Sequence, residues 1–399
     1  MINRPDYIAA IEPFIDKPLV KILAGIRRCG KSTIFEMLRE ELLRRGIGED
    51  QIVCKRYTEM DIPENITAKQ MYDELTAAMA GKGHCYLLLD EIQEITGWEK
   101  AVNSLLESAD ADIYVTGSNS KLMSSEISTY LTGRYVSIPV YTLSFKEYLD
   151  FKADSTLSRR ELLEEYIRFG GFPIIALSEY DEQSAYQIVN GIYHTVVSRD
   201  IVKRHRINKQ DLFDRVVKYI IENMGKTFSA NSISTFLKSE HRKVSVESIY
   251  NYLRWLEQAF IIYPCERYDL QGKSILKTQE KYYLADVSLK YALLGYNRKM
   301  LDGAMENIVF LELKRRGYDV FIGKNDTKEI DFVATRRAER IYVQVCVRIP
   351  ETSDREVGNL MEIRDHYPKY VVTLNEMDTG IENGIKIVHL ADFLLAEAW

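Results

Sequence analysis

Residues 25–32 read Gly-Ile-Arg-Arg-Cys-Gly-Lys-Ser, a G-x-x-x-x-G-K-[ST] spacing set between an apolar run over 20–24 and a helical pattern that starts near Thr33. A strand, a glycine-rich turn and a helix in that order make a phosphate-binding loop. The glycines let the backbone curl so that successive N–H groups face inward, and the helix N-terminus adds the positive end of its dipole. Gly25, Ile26, Arg27, Arg28, Cys29, Gly30, Lys31, Ser32 and Thr33 are therefore the expected nucleotide cradle. Lys31 is expected to reach the β- and γ-phosphates of ATP, and the Ser32 hydroxyl to ligate Mg²⁺.

Apolar runs of strand length recur at 21–24, 52–57, 86–89, 113–116 and 136–138, with helical patterns between most of them. This alternation predicts a parallel sheet covered by helices. The run Tyr86-Leu87-Leu88-Leu89 is apolar at every position, as a strand buried on both faces requires. Asp90 and Glu91 follow it at the carboxyl edge, where open α/β sheets bind ligands, and make a Walker B arrangement. Asp90 is expected to hold Mg²⁺ through its water shell and Glu91 to polarise the attacking water. A solvated acidic turn is the plainer alternative.

The next strand ends in Gly117-Ser118-Asn119-Ser120, where Asn119 either orients the attacking water or caps a helix. Arg134, after Leu131-Thr132-Gly133, is the expected arginine finger, weighed against a surface or ion-pair role. Arg27 and Arg28 are alternatives that could act on the same nucleotide or on a neighbour's.

A chain of 399 residues exceeds one ordinary core and suggests two or three domains. Its 46% apolar and 28% charged content is that of a globular protein, and no apolar stretch approaches the ~20 residues of a bilayer span. With no basic region and apolar core at its start, a cytoplasmic location is expected. The five cysteines, Cys29, Cys54, Cys85, Cys265 and Cys346, are too dispersed for a zinc site or an evident disulfide framework. A net charge of −6 confines any DNA contact to a local patch.

The motifs Gly25-Ile-Arg-Arg-Cys-Gly-Lys-Ser32, Leu89-Asp-Glu-Ile-Gln93, Thr116-Gly-Ser-Asn-Ser120, Leu131-Thr-Gly-Arg134 and Leu143-Ser-Phe-Lys-Glu-Tyr148 together resemble the bacterial and archaeal AAA-type ATPases. The branch they resemble carries a C-terminal domain of unknown function, numbered 4143. Phe169-Gly-Gly-Phe-Pro173, Ser198-Arg-Asp200, Glu306-Asn307 and Glu329-Ile-Asp-Phe332 extend the likeness through nearly the whole chain. Thr142, where the family pattern has proline, is a small departure. The resemblance implies ATP binding with hydrolysis. As in additional-strand ATPases, it also implies that the strand ending near Asn119 lies between the loop strand and the Asp90 strand, and that a helical lid follows the sheet.

Beyond the sheet, a helix over 162–169 stops at Gly170-Gly171-Phe172-Pro173, read as a hinge or a plain turn. Helical patterns over 212–223, 230–238 and 245–258, with Ser229 and Ser245 as caps, precede β-rich stretches at 261–268 and 274–284 and suggest a winged helix. Val246, Ile249, Tyr250, Leu253 and Leu256 form the expected buried face of the last helix. Basic residues between Lys203 and Lys243, Arg242 included, could meet phosphates, although acidic residues such as Asp211 and Glu240 dilute them. After a helix carrying Glu306, strand-like stretches at 319–322, 329–334 and 341–347, then a helix and two short strands, resemble the restriction-endonuclease-like fold. Glu306 and Asp331 match its acidic positions. Gln344-Val345-Cys346 stands where an acid-x-lysine pair would be, so the lysine is absent at Cys346 and an inactive domain is expected, with the Gln344 carbonyl still able to ligate Mg²⁺.

The expected architecture is thus α/β: a P-loop NTPase parallel sheet over 1–150, a helical lid over 151–205, a winged-helix segment over 206–270 and a restriction-endonuclease-like α/β domain over 271–399. The expected function is Mg²⁺-dependent ATP hydrolysis that moves the attached domains. The alternative is a nucleotide-dependent switch with negligible turnover that binds DNA or protein. Expected ligands are ATP or ADP and Mg²⁺; expected partners are double-stranded DNA or a protein, and further copies of the chain, but no membrane.

Overall fold

The structure is a computed structural model and describes residues 2–58, 63, 66–123, 130–207, 209–239, 244–272, 274–350 and 355–399. The chain divides into two compact units, one of residues 1–140 with 258–260 and one of 141–257 with 261–399. Among the described residues no helix is long and apolar enough to cross a membrane.

The first unit opens with helix α1 (Pro5–Ile11) and then forms β1 (Val20–Ala24), α2 (Lys31–Arg44), β2 (Ile52–Arg56), α3 (Ala68–Met79), β3 (Cys85–Asp90), α4 (Trp98–Ser108), β4 (Ala111–Gly117) and β5 (Tyr135–Pro139). The five strands pair in parallel in the order β2-β3-β4-β1-β5. Every residue of β1 and of β3 is buried, as runs that are apolar at nearly every position demand when helices cover both faces. β4 lies between β1 and β3, which is the insertion expected of an additional-strand ATPase. It brings the ends of β1, β3 and β4 to one carboxyl edge. Lys21 on β1 is the exception to the apolar run; fully buried, it pairs with Asp112 on β4, which also accepts from the Tyr114 hydroxyl at 2.6 Å and the Asp16 N–H at 2.9 Å.

The second unit starts at residue 141, ahead of the expected boundary at 150, because α5 (Phe145–Phe151) packs on α6 (Arg159–Phe169) through Phe145–Tyr166 and Tyr148–Tyr166 ring contacts. The proposed lid residues 151–205 therefore fall within this unit. Gly170, at φ +73°, and Gly171 are close-packing glycines. A Cβ on Gly170 would lie 1.8 Å from Asp286 Oδ1, and one on Gly171 2.4 Å from the Leu143 carbonyl oxygen. The Gly171 N–H donates to Asp286 at 2.8 Å. The glycines pin the segment where a hinge was one of two sequence readings.

α7 (Glu182–Val196) continues through a π-helical stretch, Val197–Val202, and α8 (Gln210–Glu222), α9 (Ala230–Ser239) and α10 (Val246–Gln258) follow as expected. Ser229 and Ser245 cap the last two, accepting from Ser232 and Ser248 N–H groups. On α10 the buried face is Ile249, Tyr252, Leu253 and Leu256; Tyr250 is exposed and Val246 half-buried, so the expected face was rotated by part of a turn. The hairpin β6 (Ile262–Asp269) and β7 (Ser274–Leu284) is not an isolated wing. β6 pairs in parallel with β8 (Asp319–Asn325), making the hairpin the edge of an eight-stranded sheet, and the expected boundary at 270 cuts through it. β9 (Lys328–Arg336), β10 (Glu339–Cys346), β11 (Lys369–Thr373), β12 (Gly380–Glu382) and β13 (Ile385–His389) complete the sheet in the order β12-β13-β11-β10-β9-β8-β6-β7. Helices α11 (Ser288–Leu294), α12 (Leu301–Arg315), α13 (Arg355–Met361) and α14 (Leu390–Leu395) accompany it. Ile330, Val333, Tyr342, Leu360 and Val371 belong to its core. Three strands and a closing helix follow α13, where two short strands were expected.

Candidate nucleotide site

Gly30 takes φ +103° as the N-cap of α2, a left-handed conformation open to glycine at little cost, and α2 begins on Lys31. Gly25 meets a different constraint: a Cβ there would sit 2.0 Å from the Val140 carbonyl oxygen, beyond β5. Cys29 is fully buried, and burial, only partly offset by Lys31 and Arg4, pushes its thiol up, so it packs rather than reacts. Arg28 and Arg27 differ in placement: Arg28 is exposed at φ +69°, whereas Arg27 turns inward to Glu94 at 3.3 Å and Glu91 at 3.6 Å. Arg4 from the N-terminal segment was missed by sequence reasoning. Buried, with its guanidinium over the Tyr7 ring, it donates to the Cys29 carbonyl at 2.7 Å and so braces the loop from behind.

The Lys31 ammonium donates to the Gly25 and Ile26 carbonyls at 2.8 and 3.1 Å and lies 3.9 Å from Glu91. Ser32 donates its hydroxyl to Asp90 Oδ2 at 2.7 Å, while Thr116 donates to Asp90 Oδ1. A hydroxyl and a buried carboxylate in contact at a strand edge form an oxygen donor set suited to Mg²⁺. Glu91, next in the chain, takes φ +53°, and its N–H donates to Thr116 Oγ1 at 3.0 Å. Its carboxylate accepts from Gln93 Nε2 and from the Ser118 hydroxyl at 3.2 Å. Burial would raise the Glu91 pKa; Lys31, Arg27 and these two hydrogen bonds outweigh it and hold the group below the usual carboxylate range. Asn119 is buried immediately beyond β4, at the same edge.

Arg134 is elsewhere. Its carbonyl accepts from the Val20 N–H at 3.0 Å, which puts it at the start of β5, and its guanidinium donates to Asn103 at 2.8 Å and Glu107 at 2.7 Å on α4. The length of β1, about 16 Å for five residues, separates that edge from the loop. The structure thus brings Lys31, Ser32, Asp90, Glu91 and Asn119 to one edge and puts Arg134 at the other.

A model described as an AAA domain matches residues 17–149, and a domain of unknown function (DUF8612) matches 160–299. An uncharacterized protein of Haemophilus influenzae is 37% identical over 398 residues, 99% of each chain, and the uncharacterized protein MJ1544 of Methanocaldococcus jannaschii is 33% identical over 354 residues, 85% of this chain and 77% of its own. The chain belongs to one family with these two proteins. Its first unit carries an AAA-type P-loop domain, and the residues at the loop edge, Gly25 to Asn119, all fall inside the match. The second match bears the number 8612, not the 4143 expected from the motifs. Among solved structures, Aeropyrum pernix Orc1 in complex with DNA aligns with 72% of this chain and 90% of its own at 13% identity and a TM-score of 0.34.

In the second unit a charged cluster surrounds the positions compared with nucleases. Among the described residues no group of three or more His, Cys, Asp or Glu side chains could hold a metal ion. Cys346 leaves that position without a lysine, and a lysine from another strand, Lys281 on β7, is buried 2.9 Å from Glu329 and 3.7 Å from Glu306. Its burial would lower the ammonium pKa, but Glu306, Asp331 and Glu329 raise it. Asp331 is pushed well up, by burial first and the Glu306 charge second. The Gln344 carbonyl, expected to remain open to a metal, accepts the Asp331 N–H at 2.7 Å, and the Gln344 amide donates to Glu356 at 2.8 Å. Asp331 Oδ2 in turn accepts from the Val345 N–H at 2.8 Å, so these groups also tie β9 to β10.

Proposed function

We propose that this chain is a cytoplasmic Mg²⁺-dependent ATPase whose turnover changes the conformation of the attached second unit. The observation that carries the reading is the Ser32 hydroxyl on Asp90 at 2.7 Å, with the half-buried Glu91 carboxylate next to it in the chain and 3.9 Å from the Lys31 ammonium. Ser32 and Asp90 would hold the metal, which when bound would offset charge accumulating on the phosphates. Lys31 clamps the β- and γ-phosphates, Glu91 accepts a proton from the attacking water, and Asn119 orients that water. Arg134 serves a nucleotide only on a neighbouring copy, so this role requires a homo-oligomer. Replacing Glu91 with Gln tests the assignment: ATP should bind while steady-state phosphate release falls at least about a hundredfold, on the scale of a lost general base. Turnover near the parent rate would remove Glu91 from the role.

The switch reading has one observation in its favour, because Gln93, Ser118 and Arg27 all engage the Glu91 carboxylate. A chain with negligible phosphate release both alone and with DNA would support it. In the second unit we read α8, α9 and α10 with the hairpin as a winged-helix-like DNA-binding segment. Its support is the exposed row Lys203, Arg204, Arg206, Lys209, Arg215 and Lys218; Arg242, Lys243 and Glu240 lie outside the described residues. The Lys281 cluster favours a nuclease-like ancestry for the sheet, and Mg²⁺-dependent plasmid cutting abolished by Asp331→Ala would show retained activity.

A further inference from the structure

The outer flank of the nucleotide site holds a cation that the loop motif does not include. Arg56 ends β2 and stands in register with Asp90 at the end of β3. Its Nε donates to Asp90 Oδ2 at 3.1 Å, the same oxygen that accepts the Ser32 hydroxyl. The other end of the guanidinium, Nη2, lies 3.8 Å from Glu36. Ser32 and Glu36 are one turn apart on α2 and so share a face. Arg56 thereby reaches from the metal-holding carboxylate to the helix along a cavity of about 140 Å³ that Phe35 and Leu88 also line. Its side chain is 43% exposed against 6% for Asp90, an accessible group on a buried one.

We propose that Arg56 is a positioning residue, a built-in counter-cation that competes with Mg²⁺ for Asp90 Oδ2 and so sets the metal concentration at which the site takes nucleotide. The inference rests on the reading of Ser32 and Asp90 as the metal-holding pair. A carboxylate oxygen has few acceptor directions, and Oδ2 already serves Ser32 and Arg56. A guanidinium and a divalent cation on one oxygen repel each other, so strengthening either contact weakens the other. Arginine suits this exchange. Its planar fork faces two carboxylates at once, and Glu36 remains as a partner when Asp90 is taken.

The test follows binding of a fluorescent ATP analogue to the full chain by anisotropy, titrating Mg²⁺ for the parent, Arg56→Gln and Arg56→Lys, with a parallel series in EDTA. Arg56→Gln should reach half-saturation at roughly fivefold lower Mg²⁺, the scale of a partly exposed ion pair. Its affinity in EDTA should not rise, and Arg56→Lys should fall between the two. An unchanged or higher Mg²⁺ midpoint in Arg56→Gln overturns the proposal, as does an equal gain in EDTA, which would mean general loosening of the site. Analogue binding insensitive to Lys31→Ala in the parent would instead remove the nucleotide-site reading on which the inference rests.

Discussion

Thr116 joins the two carboxylates of the nucleotide edge: its hydroxyl donates to Asp90, and its oxygen accepts the N–H of Glu91, whose left-handed backbone needs holding. Thr116→Val keeps the shape and removes both bonds, leaving buried groups unpaired. We expect a loss of about 1–3 kcal/mol in urea unfolding, together with slower phosphate release; a variant equal to the parent in both would show that Glu91 holds its turn without this support. Glu91 itself carries a pH signature. Its pKa is depressed in the fold, so its contribution to stability is present above the unfolded carboxylate value and is lost as pH falls through the folded one. The stability gap between the parent and Glu91→Gln should therefore shrink as unfolding is measured at pH values below the usual glutamate range, and a gap that widened there would contradict the assigned shift. The placement of Lys31, Ser32, Asp90 and Glu91 at one edge was legible in the sequence because loop and strand-edge motifs fix their local geometry. Thr116, Arg4 and Arg56 were not, since each acts through a neighbour set by strand register or by chain remote in sequence.

At the level of elements, β1 and β3 were readable because burial on both faces leaves little but apolar residues, and the interruption at Lys21 has its reason in Asp112 across the sheet. Removing one member of a fully buried pair strands the other charge. Asp112→Leu should cost about 3–5 kcal/mol in guanidinium unfolding, and adding Lys21→Met should recover part of that loss. A double variant as damaged as the sum of the single changes would mean that the pair is not energetically coupled. The harder elements were those whose pairing is remote. A hairpin followed by strands reads locally like a wing, and only the parallel pairing of residues 267–269 with 322–324 merges it into the larger sheet. The same limit applied to Arg134, read as a cation just before the last strand of the sheet but not as lying at the edge opposite the phosphate loop, and to Lys281, which reaches the cluster from a strand earlier in the chain than the helix of Glu306. The phase of α10 slipped from Tyr252 to Tyr250 because aromatic residues stand at both positions and either fits a short apolar pattern.

For the whole molecule, a net charge of −6 means that any DNA affinity must come from a local basic patch, for which the exposed residues between Lys203 and Lys218 are the candidate, and it should decline with salt in proportion to the phosphates contacted. If ATP turnover in the first unit drives the second, the two ligands must be thermodynamically coupled. Whatever factor ATP applies to DNA affinity, DNA must apply to ATP affinity. The Glu91→Gln chain, which should bind ATP without consuming it, allows both halves of that cycle to be measured at equilibrium. Anisotropy of a labelled duplex with and without Mg²⁺-ATP, and of a fluorescent ATP analogue with and without the duplex, should give equal factors, and coupling energies of about 1–3 kcal/mol correspond to roughly 5- to 150-fold. Lys203→Glu with Arg204→Glu should weaken duplex binding and flatten its salt dependence while leaving analogue affinity in the absence of DNA unchanged. Factors of unity in both directions, with both ligands binding, would separate the two activities and leave the basic row a site that ATP does not control.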